Sequence, residues 1–154
     1  MNNIYKYEYR AKRLTNNKWA YGYMLVNSAG KYCLNGACQF EDNSENPVYI
    51  DKNTIGRYAK FRDINKKDVY EGDIVEWTFF YYERINGGLT YSDTIVTGII
   101  KYKDGEFIFV PIRNNFQKVD YYVIDDLETD TESDAEVIGN IYDNPELMNN
   151  KNEK

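Results

Sequence analysis

Near its start the chain alternates between ring and charge. Tyr5, Tyr7 and Tyr9 fall on one side of an extended backbone, and Lys6, Glu8 and Arg10 fall on the other. A period of two marks a half-exposed strand. Asn16 and Asn17 predict a turn, and Trp19 to Val26 a returning strand. "KYCLNGACQF" (31–40) predicts a hairpin, because Asn35-Gly36 suits a type I′ turn with positive φ at both central residues. That pairing sets Leu34 opposite Ala37 and Cys33 opposite Cys38. The next stretch, "NSENPVYIDKNTIGRYAKFRDINKKD", reads as a connecting region. It holds short strands at Val48–Ile50 and Ile55–Phe61 and a polar turn from Asp63 to Asp68.

The second half is more regular. Gly72-Asp73 predicts a bend into a strand in which Val75, Trp77, Phe79 and Tyr81 form one apolar face, with Glu76 and Thr78 on the other. The strand runs on to Ile85, "NGG" (86–88) turns it, and Leu89 to Tyr102 returns as a long partner. "KDG" (103–105) makes a second tight turn into "EFIFVPI". Pro111 cannot donate to a ladder, so it predicts an edge or a bulge. "YYVI" (121–124) and "EVIGNIY" (136–142) complete the set. Short hairpins, glycine at the bends and few helical patterns predict a mainly β protein, an antiparallel barrel or sandwich. Closure would also hide sheet edges. At the end, Asn144 is placed to cap a short helical turn with Pro145 at its first position and Glu146 near its positive end. Leu147 would fold back on the barrel, and residues 149–154 have nothing to bury and should fray.

Composition narrows the function. Hydrophobic residues make up 42% of the 154, enough for a core, and the 16 tyrosines favour strands, where flat rings pack on a pleated surface. The formal charge of −6 argues against generic phosphate binding, although a local basic patch remains compatible with it. The absence of histidine argues against serine and cysteine triads and most catalytic zinc sites. A Cys33–Cys38 disulfide is geometrically conceivable, but in a reducing cytosol both are expected as reduced thiols, and a metal site would need two further ligands of that kind. No apolar run is long enough to cross a membrane and the start lacks an apolar leader core, so the expected compartment is cytosolic.

Four pieces, "YRAKRLTNNKWAYGYM", "TIGRY" (54–58), "VYEGDIV" (69–75) and "EVIGNIYDNPEL" (136–147), together resemble the YopX family of phage and prophage proteins. The resemblance spans nearly the whole chain. It implies a phage or prophage origin, the cytoplasm of a bacterial host, and an SH3-like β-barrel preceded by a β-rich N-terminal segment. The expected division is 1–60 for that segment, 61–148 for the barrel and 149–154 for the tail. No catalytic residue, cofactor or metal comes across with it. The chain departs from the family pattern in two places. Where relatives carry glycine before "VYEGD", this chain reads "KFRDINKKD", making Asn65 the candidate for a left-handed conformation. Phe79 to Thr97 is also longer than the usual link.

The long hairpin is the candidate binding surface. Alternation leaves Phe80 and Tyr82, with Tyr91, on its outer face, and an exposed aromatic patch marks an interaction site. The bland alternative is that the chain's own N-terminal segment covers it; self-association lies between the two. Gly72, Asp73, Gly139, Asn144 and Pro145 are expected as structural residues. Rings beside Lys6, Arg10, Lys12 and Arg13 raise single-stranded nucleic acid, but period two sets rings and charges of that strand on opposite faces. "DDLETDTESDAE" lacks the glycine and final glutamate of a calcium loop starting at Asp126 and reads as a solvated connector. A carboxylate-based hydrolase is a third possibility, requiring two acids across a cleft. The expected role is therefore a non-enzymatic accessory protein that binds itself or a phage or host protein, with a nucleic-acid-associated module as the alternative.

Overall fold

The computed structural model describes residues 8–35, 48–113, 119–124 and 134–149. They form a mainly β protein of antiparallel sheets, and the chain divides into two units, Met1–Tyr58 and Ala59–Lys154. In the first unit the strands are β1 (Tyr9–Lys12), β2 (Trp19–Val26), β3 (Tyr32–Asn35), β4 (Val48–Tyr49) and the start of β5 (Gly56–Arg62), in the order β4-β3-β2-β1-β5. Register explains the core. Ala11 pairs with Ala20, and Met24 with Leu34, which pairs in turn with Val48. Residues opposite one another share a face, so these, with Ile50 and the partly buried Tyr9, Tyr32 and Ile55, make one small cluster. Thr54 ties its edge together: its hydroxyl accepts from Lys12 N and donates to the Asp51 carbonyl, both at 2.8 Å.

The second unit takes the rest of β5, then β6 (Asp68–Tyr70), β7 (Asp73–Ile85), β8 (Gly88–Lys103), β9 (Glu106–Arg113), β10 (Tyr122–Val123) and β11 (Ala135–Asn140). Five of these form a sheet in the order β10-β9-β8-β7-β11. Val75, Trp77, Val96, Ile100, Phe109 and Ala135 bury one of its faces, together with Ala59, Phe61 and Val69 from β5 and β6. Trp77 sits between two rings, Phe61 at 5.5 Å and Phe109 at 5.6 Å. Among the described residues the sheet has open ends at β10 and β11, and no closed barrel is formed. Pro111 lies beside a register shift: it pairs with Gly98, while the adjacent Thr97 pairs with Arg113, leaving Ile112 as the extra residue. Its missing N–H falls at that bulge.

Two local expectations need correction. The left-handed residue in the β5–β6 turn is Lys66, with φ of 63°, not Asn65. The turn is organised by Asp63, whose Oδ1 accepts from Asn65 N at 2.9 Å and Lys67 N at 2.8 Å. An aspartate acceptor thus fixes the turn and leaves the strained position three residues after itself, one beyond Asn65. Asn144 does precede a 3-10 turn, Pro145–Met148, but its side chain makes no capping bond. Its Oδ1 instead accepts from Asn140 N at 3.3 Å, while Leu147 N donates to the Asn144 carbonyl at 3.1 Å. The Cys38 half of the first hairpin, the acidic stretch 125–133 and the tail 150–154 lie outside the described residues.

Candidate functional site

Strands β7 and β8 make one hairpin with an unbroken register from Ile74↔Ile99 to Ile85↔Gly88. Asn86 and Gly87 connect them with φ of 51° and 83°, the two positive values a type I′ turn needs. Only the base of the hairpin is flanked on both sides. β11 pairs with β7 from Asp73 to Trp77, and β9 pairs with β8 from Thr97 onward. From Phe79 to Thr94 no third strand joins the ladder among the described residues. The distal part is a two-stranded ribbon about 25 Å long at ~3.3 Å per residue.

Alternation sorts the ribbon's two faces. On one, Phe79 is half-buried, with its ring 4.8 Å from Tyr122 and 6.2 Å from Phe109. Tyr81 follows it, also half-buried, and Ser92 Oγ donates to Glu83 Oε1 at 2.8 Å. On the other face the pairs Thr78↔Ile95, Phe80↔Asp93, Tyr82↔Tyr91 and Arg84↔Leu89 stack in rows. Here Phe80 is 48% exposed, Tyr82 71%, Tyr91 57%, Leu89 70% and Ile95 63%. The three rings hold one another. Phe80 and Tyr91 stack within 2° of parallel at 5.7 Å, and Tyr82 and Tyr91 meet at 5.2 Å. The three candidate residues therefore come together as one aromatic patch, widened by Leu89 and Ile95. Those two are missed by reading "FFYY" alone, and the β7–β8 register is the signal that finds them.

The second group of candidates meets at the other end of the same unit. Gly72 stands at φ of 88°, a left-handed value that suits glycine. Its carbonyl accepts from Ile141 N and its N–H donates to the Ile100 carbonyl. Gly139 faces the turn that follows it: a Cβ there would lie 2.6 Å from Asn144 Oδ1 and 2.9 Å from Leu147 Cδ1. Asp73 pairs with Asn140 and is buried, its Oδ2 accepting from Tyr70 N at 2.8 Å. Gly72 and Asp73 thus hold the segment 136–147 against the start of β7, Gly139 and Asn144 fold its end back on itself, and Pro145 opens the 3-10 turn. Asp63, the other buried carboxylate among the described residues, also accepts from backbone N–H groups, including Val137 N at 3.1 Å. Among the described residues no group of three metal-ligating side chains exists. Cys33 is a buried free thiol donating to the Leu25 carbonyl at 3.6 Å.

A model of the YopX protein family matches residues 8–149, a span that takes in both glycine-anchored ends and the long hairpin between them. The chain belongs to the YopX family. No curated protein matches the sequence. Among the described residues of this YopX chain no helix is long and apolar enough to cross a membrane.

In the first unit the structure adds what strand-by-strand reading misses. Arg10 and Lys12 do alternate with Tyr9 and Ala11 along β1, yet Trp19 sits opposite Lys12 on β2. Its ring lies 4.5 Å from the Arg10 guanidinium and 5.4 Å from Lys12 Nζ. Rings and cations therefore share a face, supplied by neighbouring strands, in cation–π contact.

Proposed function

We propose that this YopX chain is a phage or prophage accessory protein that works by binding, not catalysis, in the cytoplasm of its bacterial host. The contact surface is the outer face of the β7–β8 ribbon. A single observation carries this reading: Phe80, Tyr82, Tyr91, Leu89 and Ile95 stand exposed on one face of a ribbon that no third strand flanks among the described residues. Burying each large side chain is worth about 1.5–3 kcal/mol, so a partner gains most by covering this face. The favoured occupant is a second copy. A two-fold axis through the Tyr82–Tyr91 row would set the Arg84–Leu89 row of each copy over the Phe80–Asp93 row of the other. Arginine then meets aspartate and a ring, and apolar residues fill the rest. A phage or host protein with an apolar groove is the other possible partner.

For the second unit we propose an SH3-like arrangement whose sheet is open among the described residues. In support, five strands in the order β10-β9-β8-β7-β11 share one core with the β5–β6 hairpin. Light scattering on a sizing column tests the binding reading. The wild-type chain should elute above monomer mass at micromolar concentration, and Phe80→Ser with Tyr82→Ser should return it to monomer. A wild-type monomer that also captures no protein from infected cells would overturn it. A nucleic-acid role is the second reading, and it rests on a different part of the molecule.

A further inference from the structure

Charge is divided unevenly along the chain. Residues 1–58 carry eight lysines and arginines against five acids, a balance of +3, whereas residues 59–154 carry eleven against twenty, a balance of −9. The net acidity that argues against phosphate binding is therefore a property of the second unit. Opposite charge in two halves of one chain points to a polyanion for the basic half.

One end of the first sheet gives this charge a shape. An open cleft of about 450 Å³ is lined by Leu14, Tyr32, Tyr49, Lys31 and Lys52, among others. Its walls are held in place. Asn27 Oδ1 accepts from Ala29 N at 3.0 Å and Lys31 N at 2.9 Å, fixing the β2–β3 turn and the base of Lys31. Leu14 N donates to the Tyr49 carbonyl and Ile50 N to the Tyr32 carbonyl, locking the strands that carry the rings. The nearby carboxylate, Asp51, accepts from Asn53 N at 2.9 Å and so positions the turn bearing Lys52. Lys31 Nζ lies 5.8 Å from the Tyr49 ring, and that ring is 40% exposed, with Tyr23 and Tyr21 also exposed on the same sheet face.

We propose that this cleft binds single-stranded nucleic acid, with a base stacked on Tyr49, Leu14 closing the side, and Lys31 and Lys52 on flanking phosphates. Aromatic faces beside cations are the chemistry of sequence-tolerant single-strand binding. Stacking and phosphate contacts are common to both polymers, so DNA and RNA should bind within a few-fold of each other. This site is independent of the β7–β8 ribbon.

The test is fluorescence anisotropy of labelled oligo-dT and oligo-U of about 12 nucleotides with the full chain. Affinity should fall steeply as salt rises from about 50 to 200 mM. Lys31→Gln with Lys52→Gln, both at exposed positions, should cost roughly tenfold at low salt and flatten the salt slope by about 1.4, near 0.7 per phosphate lost. Tyr49→Leu should weaken binding roughly tenfold through lost stacking and leave the slope unchanged. Phe80→Ser with Tyr82→Ser should bind as the wild type does. Three results would each overturn the proposal: no binding at low salt, binding unchanged in both cleft variants, or competition by polyglutamate as strong as by the oligonucleotide.

Discussion

The base and the tip of the β7–β8 hairpin are built from the same two strands, the same alternation and the same class of residue, yet they live under different physics. At the base, Ile74, Val75, Trp77, Val96 and Ile100 are fully or almost fully buried, with β11 on one side and β9 on the other. At the tip, Phe80, Tyr82, Leu89, Tyr91 and Ile95 are exposed and the ladder has two strands. The difference is not in hydrophobicity. It is in what lies beside and above each residue. A ribbon of two strands is marginal in water, so the tip depends on its own cross-strand rings and its turn, whereas the base is held by a whole core. That contrast predicts how mutations should sort.

The largest effect belongs to the base. Trp77→Ala removes the ring that links Phe61 and Phe109 across the core, and it should destabilise the protein by about 3–5 kcal/mol. Chemical denaturation would read this as a large drop in midpoint. A loss below that of a tip substitution would mean that base and tip are not distinct regimes.

Next come the glycines that anchor the last strand to the first turn of β7. Gly139→Val would press a side chain into Asn144 and Leu147, and overpacking of this kind costs about 1–3 kcal/mol. Gly72→Val should cost a similar ~1–3 kcal/mol, because a β-branched residue is strained at φ of 88°. Melting temperature checks both. If both variants melt like the wild type, the docking of segment 136–147 contributes nothing to the stability of the base.

A matching backbone change at the tip should matter less. Gly87→Val meets a comparable strain at φ of 83°. Yet the global cost is capped by the free energy needed to open the ribbon locally, because the core can persist while the ribbon frays. We expect under about 1 kcal/mol in the unfolding midpoint, together with faster amide exchange confined to residues 80–93. Exchange that accelerates throughout β7 would show that the hairpin folds as one unit.

How much of this was legible beforehand follows from the same contrast. Alternation located β7, β8 and β9 and sorted Phe80 and Tyr82 from Val75 and Trp77, because period two is a local property. Tight turns at Asn86-Gly87 and Asp104-Gly105 were readable for the same reason, φ being a property of the residue types. What was not readable was non-local. Leu89 and Ile95 join the patch through register. Trp19 reaches Arg10 and Lys12 from a neighbouring strand. Asn144 turns its side chain to Asn140 because Gly139 leaves room there. Whether the sheet closes is likewise a matter of long-range pairing and not of any local pattern, and among the described residues it stays open.

The smallest effect on stability should come from the tip's outer face, and it is the sharpest test of the comparison. Phe80→Ser with Tyr82→Ser removes two rings that water already reaches, leaving the Trp77, Val96 and Phe109 core untouched. The monomer should lose no more than about 1 kcal/mol, the worth of the ring contacts with Tyr91. Self-association, by contrast, should weaken by about tenfold for each ring, since each ~1.4 kcal/mol of lost burial is a factor of ten. Unfolding and sedimentation run on the same sample separate the two. A variant that unfolds would place these rings in the core of the monomer and erase the distinction between base and tip. A variant that stays folded but no longer self-associates fixes the tip as the surface this YopX chain uses on its partner.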